Sequence, residues 1–171
     1  MNLNQYKYIF LDRDGVINKI IKRSEIISSP RCMDEFIIRD DFKVFSEKVD
    51  KENYEFFVVT NQPDIKRGLL SMDDLNQMHS IVRQYLNFIE ISYCPHDDND
   101  KCNCRKPKSG MLDDLINKNN LNKNKCLMIG DSAKDIISAN SAKIDAYLLK
   151  TNYNSTIKHS YRINSLMDLI K

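Results

Sequence analysis

Residues 8–15 read YIFLDRDG: four apolar residues run directly into two carboxylates, Asp12 and Asp14, around Arg13, and then into Gly15. A run this short, bounded by charge, has the length of a buried strand rather than a helix. The same layout recurs downstream, where Phe56 to Val59 runs into Thr60, Asn61 and Gln62, and Cys126 to Ile129 into Gly130 and Asp131. Ile89 to Tyr93 and Ala146 to Leu149 read as further strands. Between these runs the period lengthens: Phe42, Phe45 and Val49 share one helical face, as do Leu75, Met78, Val82 and Leu86, and then Leu112, Leu115 and Ile116. Strands alternating with helices predict a Rossmann-like α/β fold, a mostly parallel sheet flanked by helices, with residues 1–171 forming a single domain.

Finer features follow from the same reading. Ser71 with Asp74 has the pattern of a capping box. Residues 117–125, rich in Asn and Lys, read as a solvated helix end and loop, and residues 151–160 as irregular. Leu166, Leu169 and Ile170 predict a short closing helix capped by Asn164.

Bulk composition narrows the function. In 171 residues, 26 Lys and Arg oppose 24 Asp and Glu, so a net charge of +2 argues against a nucleic-acid partner and makes any phosphate affinity local. The N-terminus lacks a basic segment followed by an apolar stretch, and no apolar run approaches about 20 residues, which predicts a cytoplasmic protein without a membrane partner. Of the five cysteines, Cys94, Cys102 and Cys104 cluster with His96 in CPHDDNDKCNC, while Cys32 and Cys126 stand apart. An odd count suits metal binding in a reducing compartment better than a disulfide framework.

In open α/β sheets, ligands bind where loops converge at the carboxyl ends of the strands. Asp12 and Asp14 would repel each other there unless a cation compensates, and Mg²⁺, which prefers oxygen ligands, can bridge a carboxylate to a phosphate. One carboxylate could then attack phosphorus while the other moves protons. Each segment alone has a blander explanation. Asp-x-Asp-Gly and Thr-Asn are ordinary turn chemistry, Asp131 or Ser132 suits a helix cap, and the adjacent cations Arg105 and Lys106 suit a solvated surface. Their predicted convergence on one sheet edge is what favours a site.

Taken in order, DRDGVIN, VVTNQ, CRKP and GDSAKD resemble the four motifs of the haloacid dehalogenase superfamily of phosphohydrolases, across nearly all of residues 6–150. The resemblance implies a nucleophile at Asp12, a general acid and base at Asp14, and phosphoryl-holding groups at Thr60 and Lys106. It also implies Mg²⁺ held by Asp12, the backbone carbonyl of Asp14, and Asp131, with Asp135 behind them. Asn61 and Gln62 fall within the second motif and are expected beside the substrate.

Cys94, His96, Cys102 and Cys104 supply a complete tetrahedral set for Zn²⁺ with no open position, so residues 94–104 read as a structural zinc loop; a disulfide or chance clustering are the alternatives. The loop ends at Arg105 and Lys106, and this pattern resembles a superfamily branch that contains heptose bisphosphate and histidinol phosphate phosphatases and largely lacks a large cap domain. The resemblance gives Arg105 a role in substrate recognition; Arg67 is a further candidate, or a surface ion pair. Ile65 to Gly68 and Gly110 to Leu112 resemble the heptose bisphosphate enzymes of that branch more closely, whereas the short zinc loop and Lys108 are more similar to the histidinol phosphate enzymes; on balance the resemblance implies a sugar bisphosphate as the small-molecule substrate. A polynucleotide 3′-phosphatase and a non-catalytic zinc-stabilised interaction module are the remaining alternatives. Pro63 and Asp64 depart from the branch pattern, and Asp64 is expected to bring negative charge toward the substrate.

Overall fold

The computed structural model describes residues 3–170. Its centre is a six-stranded, all-parallel sheet. In chain order the elements are β1 (Tyr8–Leu11), β2 (Ile21–Arg23), β3 (Ile26–Ser28), α1 (Asp40–Lys48), β4 (Glu55–Asn61), α2 (Met72–Arg83), β5 (Phe88–Cys94), α3 (Gly110–Lys118), β6 (Cys126–Gly130), α4 (Ala133–Ala142), β7 (Asp145–Leu149) and β8 (Arg162–Ile163). The strand order β5-β4-β1-β6-β7-β8 puts β1 between the two halves of the chain, so the loops after β1, β4 and β6 meet above adjacent strands.

The sheet is covered on both faces, which is why its strands read as continuous apolar runs. Ile9, Leu11, Phe56, Val58, Leu127 and Ile129 pack with Phe42 and Phe45 of α1 and Leu75 and Met78 of α2. Their strand neighbours Phe10, Phe57, Val59 and Met128 face the other way, against Leu112 and Leu115 of α3 and Ile136 and Ala139 of α4. Phe10 and Phe57 stack across adjacent strands at 4.9 Å between centroids.

The five expected strands and three expected helices are present. β4 reaches further than the apolar run, so Thr60 and Asn61 are strand residues, and their side-chain directions are fixed by the pleat. α2 ends at Arg83; Leu86 lies past it yet remains buried. Ser71 caps α2 by accepting from the Asp74 N–H at 3.0 Å, while its hydroxyl donates to the Asp74 carboxylate at 2.6 Å.

The closing helix differs from expectation. It is a 3-10 turn over Leu166–Leu169, and its cap is Ser165, not Asn164, because the Ser165 hydroxyl is the acceptor that reaches the Met167 N–H at 3.2 Å. Asn164 instead donates its own N–H to Asp168 at 2.9 Å. Between β1 and α1 the chain carries an unanticipated antiparallel hairpin, β2 with β3, turning through Ser24 at φ 54°. Among the described residues, no helix is long and apolar enough to cross a membrane.

Candidate active site

β1 delivers Asp12 to the sheet edge, where its backbone N–H is still held by Ile129 O of β6 at 2.9 Å. One carboxylate oxygen of Asp12 accepts from the Arg13 N–H at 2.7 Å and lies 2.9 Å from Lys106 Nζ. That ammonium is buried, and it also donates to Val59 O at 2.8 Å and to Asp135 at 2.6 Å. The loop bearing Lys106 is pinned to β4 by a reciprocal pair: Lys106 N–H donates to Asn61 Oδ1 and Asn61 Nδ2 donates to Lys106 O, each at 3.0 Å. Asn61 therefore orders the cationic loop.

Asp131, immediately after β6, and Asp135, in the first turn of α4, complete an acidic cluster with Asp12 in which one oxygen from each carboxylate lies within 4.8 Å of the others. Burial, reinforced by Asp135, pushes the Asp131 carboxyl up to about 7. Burial also raises Asp12, with Lys106 opposing and Asp135, Asp131 and Asp14 adding to the rise. Burial would lower Lys106, but Asp12 and Asp135 outweigh it and hold the ammonium charged. Three close carboxylate oxygens, two of them bound to one ammonium, are a hard-oxygen donor set of the kind that takes Mg²⁺. Asp135 is the most occupied of the three, since it also accepts from the Ser132 N–H at 3.0 Å and from the Ser132 hydroxyl. Gly15, at φ 89°, makes room for the cluster: a Cβ there would come within 1.9 Å of Asp131 Oδ2.

Asp14 is held away from this cluster. Its carboxylate accepts from Arg13 Nε at 3.1 Å, from an Arg13 terminal amino group at 2.9 Å, from Asn18 Nδ2 at 2.9 Å and from Gln62 Nε2 at 2.7 Å. Burial alone would raise its pKa, but Arg13, Asn18 and Gln62 together hold it below the ordinary carboxylate range. Gln62 Nε2 also donates to Thr60 Oγ1 at 2.9 Å, tying the two loops together. Arg13 itself is fully buried beneath the site, beside Phe36 and 3.4 Å from His79 Nε2. His79 is kept neutral, its pKa lowered to about 4 by burial and by Arg13.

Two residues of the irregular segment after β7 also enter the site. Tyr153 donates its hydroxyl to Asp131 Oδ2, and Asn154 Nδ2 donates to Asp131 O at 2.7 Å. No sequence signal pointed to them, because an unpatterned polar stretch gives no side-chain direction.

Cys94, His96, Cys102 and Cys104 do come together. Cys94 Sγ lies 3.0 Å from Cys104 Sγ, 3.7 Å from Cys102 Sγ and 3.6 Å from His96 Nδ1, and His96 Nδ1 lies 3.2 Å from Cys104 Sγ. Metal bonds of about 2.0–2.3 Å in a tetrahedron put ligand atoms roughly 3.5–3.8 Å apart, so the set could hold zinc with small adjustments. All five cysteines are free thiols, against the disulfide alternative.

The cleft above the carboxylates has a volume of about 620 Å³ and includes Arg31, Asp64, Arg67 and Arg105 in its wall. Arg105 is tied to the zinc loop, donating Nε to Asp98 at 2.6 Å and NH1 to His96 O at 3.1 Å. Arg67 bonds Asp97 at 2.6 and 2.8 Å and Asp64 at 3.1 Å. Asp64 does not project bare charge, contrary to expectation: it is buried, and Arg31 Nε binds its other oxygen at 2.7 Å. Its carboxylate is neutralised by two guanidinium groups.

The HAD-hydrolase-like family model matches residues 103–165. The D-glycero-beta-D-manno-heptose-1,7-bisphosphate 7-phosphatase of Neisseria meningitidis serogroup A is 38% identical over 135 residues, covering 76% of this chain and 70% of that protein. The enzyme of the same name from Pasteurella multocida is 33% identical over 181 residues, covering 96% and 95%. Among solved structures, the D,D-heptose 1,7-bisphosphate phosphatase from B. bronchiseptica, complexed with magnesium and phosphate, superposes with a TM-score of 0.81 at 26% identity, covering 94% of this chain and 93% of that one.

Proposed function

We propose that this chain, which belongs to the D-glycero-D-manno-heptose 1,7-bisphosphate 7-phosphatase family of haloacid dehalogenase-like hydrolases, removes the C7 phosphate of a heptose 1,7-bisphosphate through a phosphoaspartate at Asp12. The observation that carries this reading is the buried Asp12–Lys106–Asp135 arrangement at the carboxyl edge of β1, in a chain similar to such phosphatases along nearly its whole length.

Asp12 attacks phosphorus, forming the new P–O bond as the bond to the C7 oxygen breaks, and that oxygen takes a proton from Asp14. Asp14 is ionised while Arg13, Asn18 and Gln62 hold it. An arriving phosphoryl dianion raises its pKa, which favours the protonated form when a donor is needed. Asp14 then accepts a proton from the water that cleaves the acyl phosphate and regenerates Asp12. Lys106 and the Thr60 hydroxyl hold the phosphoryl oxygens, and Arg105 contacts the far part of the sugar. Asp12, the Asp14 carbonyl and Asp131 would hold Mg²⁺, which supplies positive charge against the phosphoryl oxygens. Cys94, His96, Cys102 and Cys104 would hold Zn²⁺, fixing the loop that carries Asp97 and Asp98 against Arg67 and Arg105. Thiol ligands of this kind suit the reducing cytoplasm.

Histidinol phosphate, toward which the short zinc loop and Lys108 lean, would place its ammonium against a carboxylate, and Asp64 is already matched by Arg31 and Arg67. Phosphate release from heptose 1,7-bisphosphate, histidinol phosphate and a 3′-phosphorylated oligonucleotide tests the reading. The bisphosphate should have the highest kcat/KM, and a higher value for either competitor would overturn the substrate assignment.

A further inference from the structure

The cleft wall contains three arginines whose guanidinium nitrogens are committed to different degrees. All three nitrogens of Arg67 are engaged, by Asp97 and Asp64. Arg105 spends Nε on Asp98 and one terminal amino group on His96 O. Arg31 is different: Nε holds Asp64, and among the described residues neither terminal amino group has a hydrogen-bond partner. A guanidinium anchored through Nε, with its two-amino edge open, is the fork that binds phosphate or carboxylate through paired hydrogen bonds.

The anchor is itself rigid. Asp64 is buried, and its backbone carbonyl accepts the N–H groups of Leu69 at 2.8 Å and Leu70 at 3.0 Å, which closes the turn that carries it. The Arg31 N–H donates to Glu35 at 2.7 Å, so the backbone of this arginine is also held. Its side chain keeps partial exposure, 32%, at the cleft, whereas the Asp64 side chain is 5% exposed. The result is a fixed cation at the wall, set by a buried acid. No periodicity or motif marks Arg31, because it lies in the stretch between the β2–β3 hairpin and α1.

The geometry points to Arg31 as a specificity-determining residue that binds the second anionic group of the substrate, distal to the phosphate being transferred, with Asp64 as its positioning residue. This rests on the bisphosphate reading above and names a side chain that would read the phosphate which remains on the product. It also assigns Asp64 a role: it orients a cation, and two arginines offset its charge.

Arg31→Gln tests the inference with heptose 1,7-bisphosphate and heptose 7-phosphate, which differ only in the distal phosphate. The ratio of kcat/KM for bisphosphate over monophosphate should fall about 10- to 100-fold relative to wild type, mostly through KM, because the lost contact is a charge-assisted one made only with the distal group. Arg31→Lys should fall between, keeping charge without the fork. An unaltered ratio in Arg31→Gln, or equal losses on both substrates, would overturn the assignment. The bisphosphate reading is judged separately, by the wild-type ratio: a value below one rejects that reading even where Arg31→Gln lowers it further. Circular dichroism and thermal melting of both variants establish that the comparison is between folded proteins.

Discussion

Lys106→Met removes the cation that the buried carboxylates share while keeping much of the aliphatic stem. The wild-type ammonium lies 2.9 Å from Asp12 and 2.6 Å from Asp135, with side-chain exposures of 3% for the lysine and 0% for Asp135. Deleting one partner of a buried pair costs about 3–5 kcal/mol, because the remaining charge is left unmatched. With a urea slope of about 2 kcal/mol per molar, the unfolding midpoint should fall by about 2 M.

The loss should depend on pH, and its sign follows from the raised carboxyl groups. Asp131 is pushed up to about 7 by burial and Asp135, and burial raises Asp12 as well. A carboxyl raised in the folded state favours folding while protonated in both states, and that contribution is lost as pH rises through its folded value. Without Lys106 these groups rise further, so the deficit should be small at pH 5 and full at pH 8. Magnesium should narrow it, because the variant keeps the carboxylates without an ammonium competing for them and so gains more from the same Mg²⁺ than the wild type does. Equilibrium urea unfolding at pH 5 and pH 8, with and without Mg²⁺, provides the assay. A deficit equal at both pH values and indifferent to Mg²⁺, or no deficit at all, would refute this account of the cluster.

Asp12→Asn should abolish turnover while leaving the far-ultraviolet spectrum intact, since it removes the nucleophile and keeps size; measurable steady-state phosphate release at the wild-type rate contradicts the mechanism. Tyr153→Phe deletes the hydroxyl that Asp131 accepts, and metal affinity measured by calorimetry should weaken about 10-fold, as outer partners of metal ligands typically do. Purified protein should contain about one equivalent of zinc, and Cys102→Ser should lower that content in elemental analysis. Full occupancy in that variant would show the ligand set to be wrong.

The sheet was legible because burial on both faces makes its strands uninterrupted apolar runs, as in Tyr8–Leu11 and Cys126–Gly130, each running into a carboxylate. The β2–β3 hairpin was not: its strands are three residues each, and its turn uses Ser24 at positive φ, where a glycine would have signalled it. Asp12, Lys106 and Asp131 stood out through their places beside strands and motifs, and the structure brings them together. Tyr153, Asn154 and Arg31 come from stretches without periodicity, so only tertiary folding reveals what they face. The pairing of Asp64 was not legible, because a lone sequence position does not show the two arginines that face it. Asn164 and Ser165 both satisfy the cap pattern in sequence, and only the structure shows that the Ser165 hydroxyl reaches the Met167 N–H.

Phosphorus NMR of the wild-type protein turning over D-glycero-D-manno-heptose 1,7-bisphosphate in Mg²⁺ tests the central claim most directly, because it reports which phosphate leaves. Loss of the C7 resonance, growth of inorganic phosphate and retention of the C1 resonance are the predicted result. Retention of both ester signals under saturating Mg²⁺, or loss of the C1 phosphate first, would contradict it.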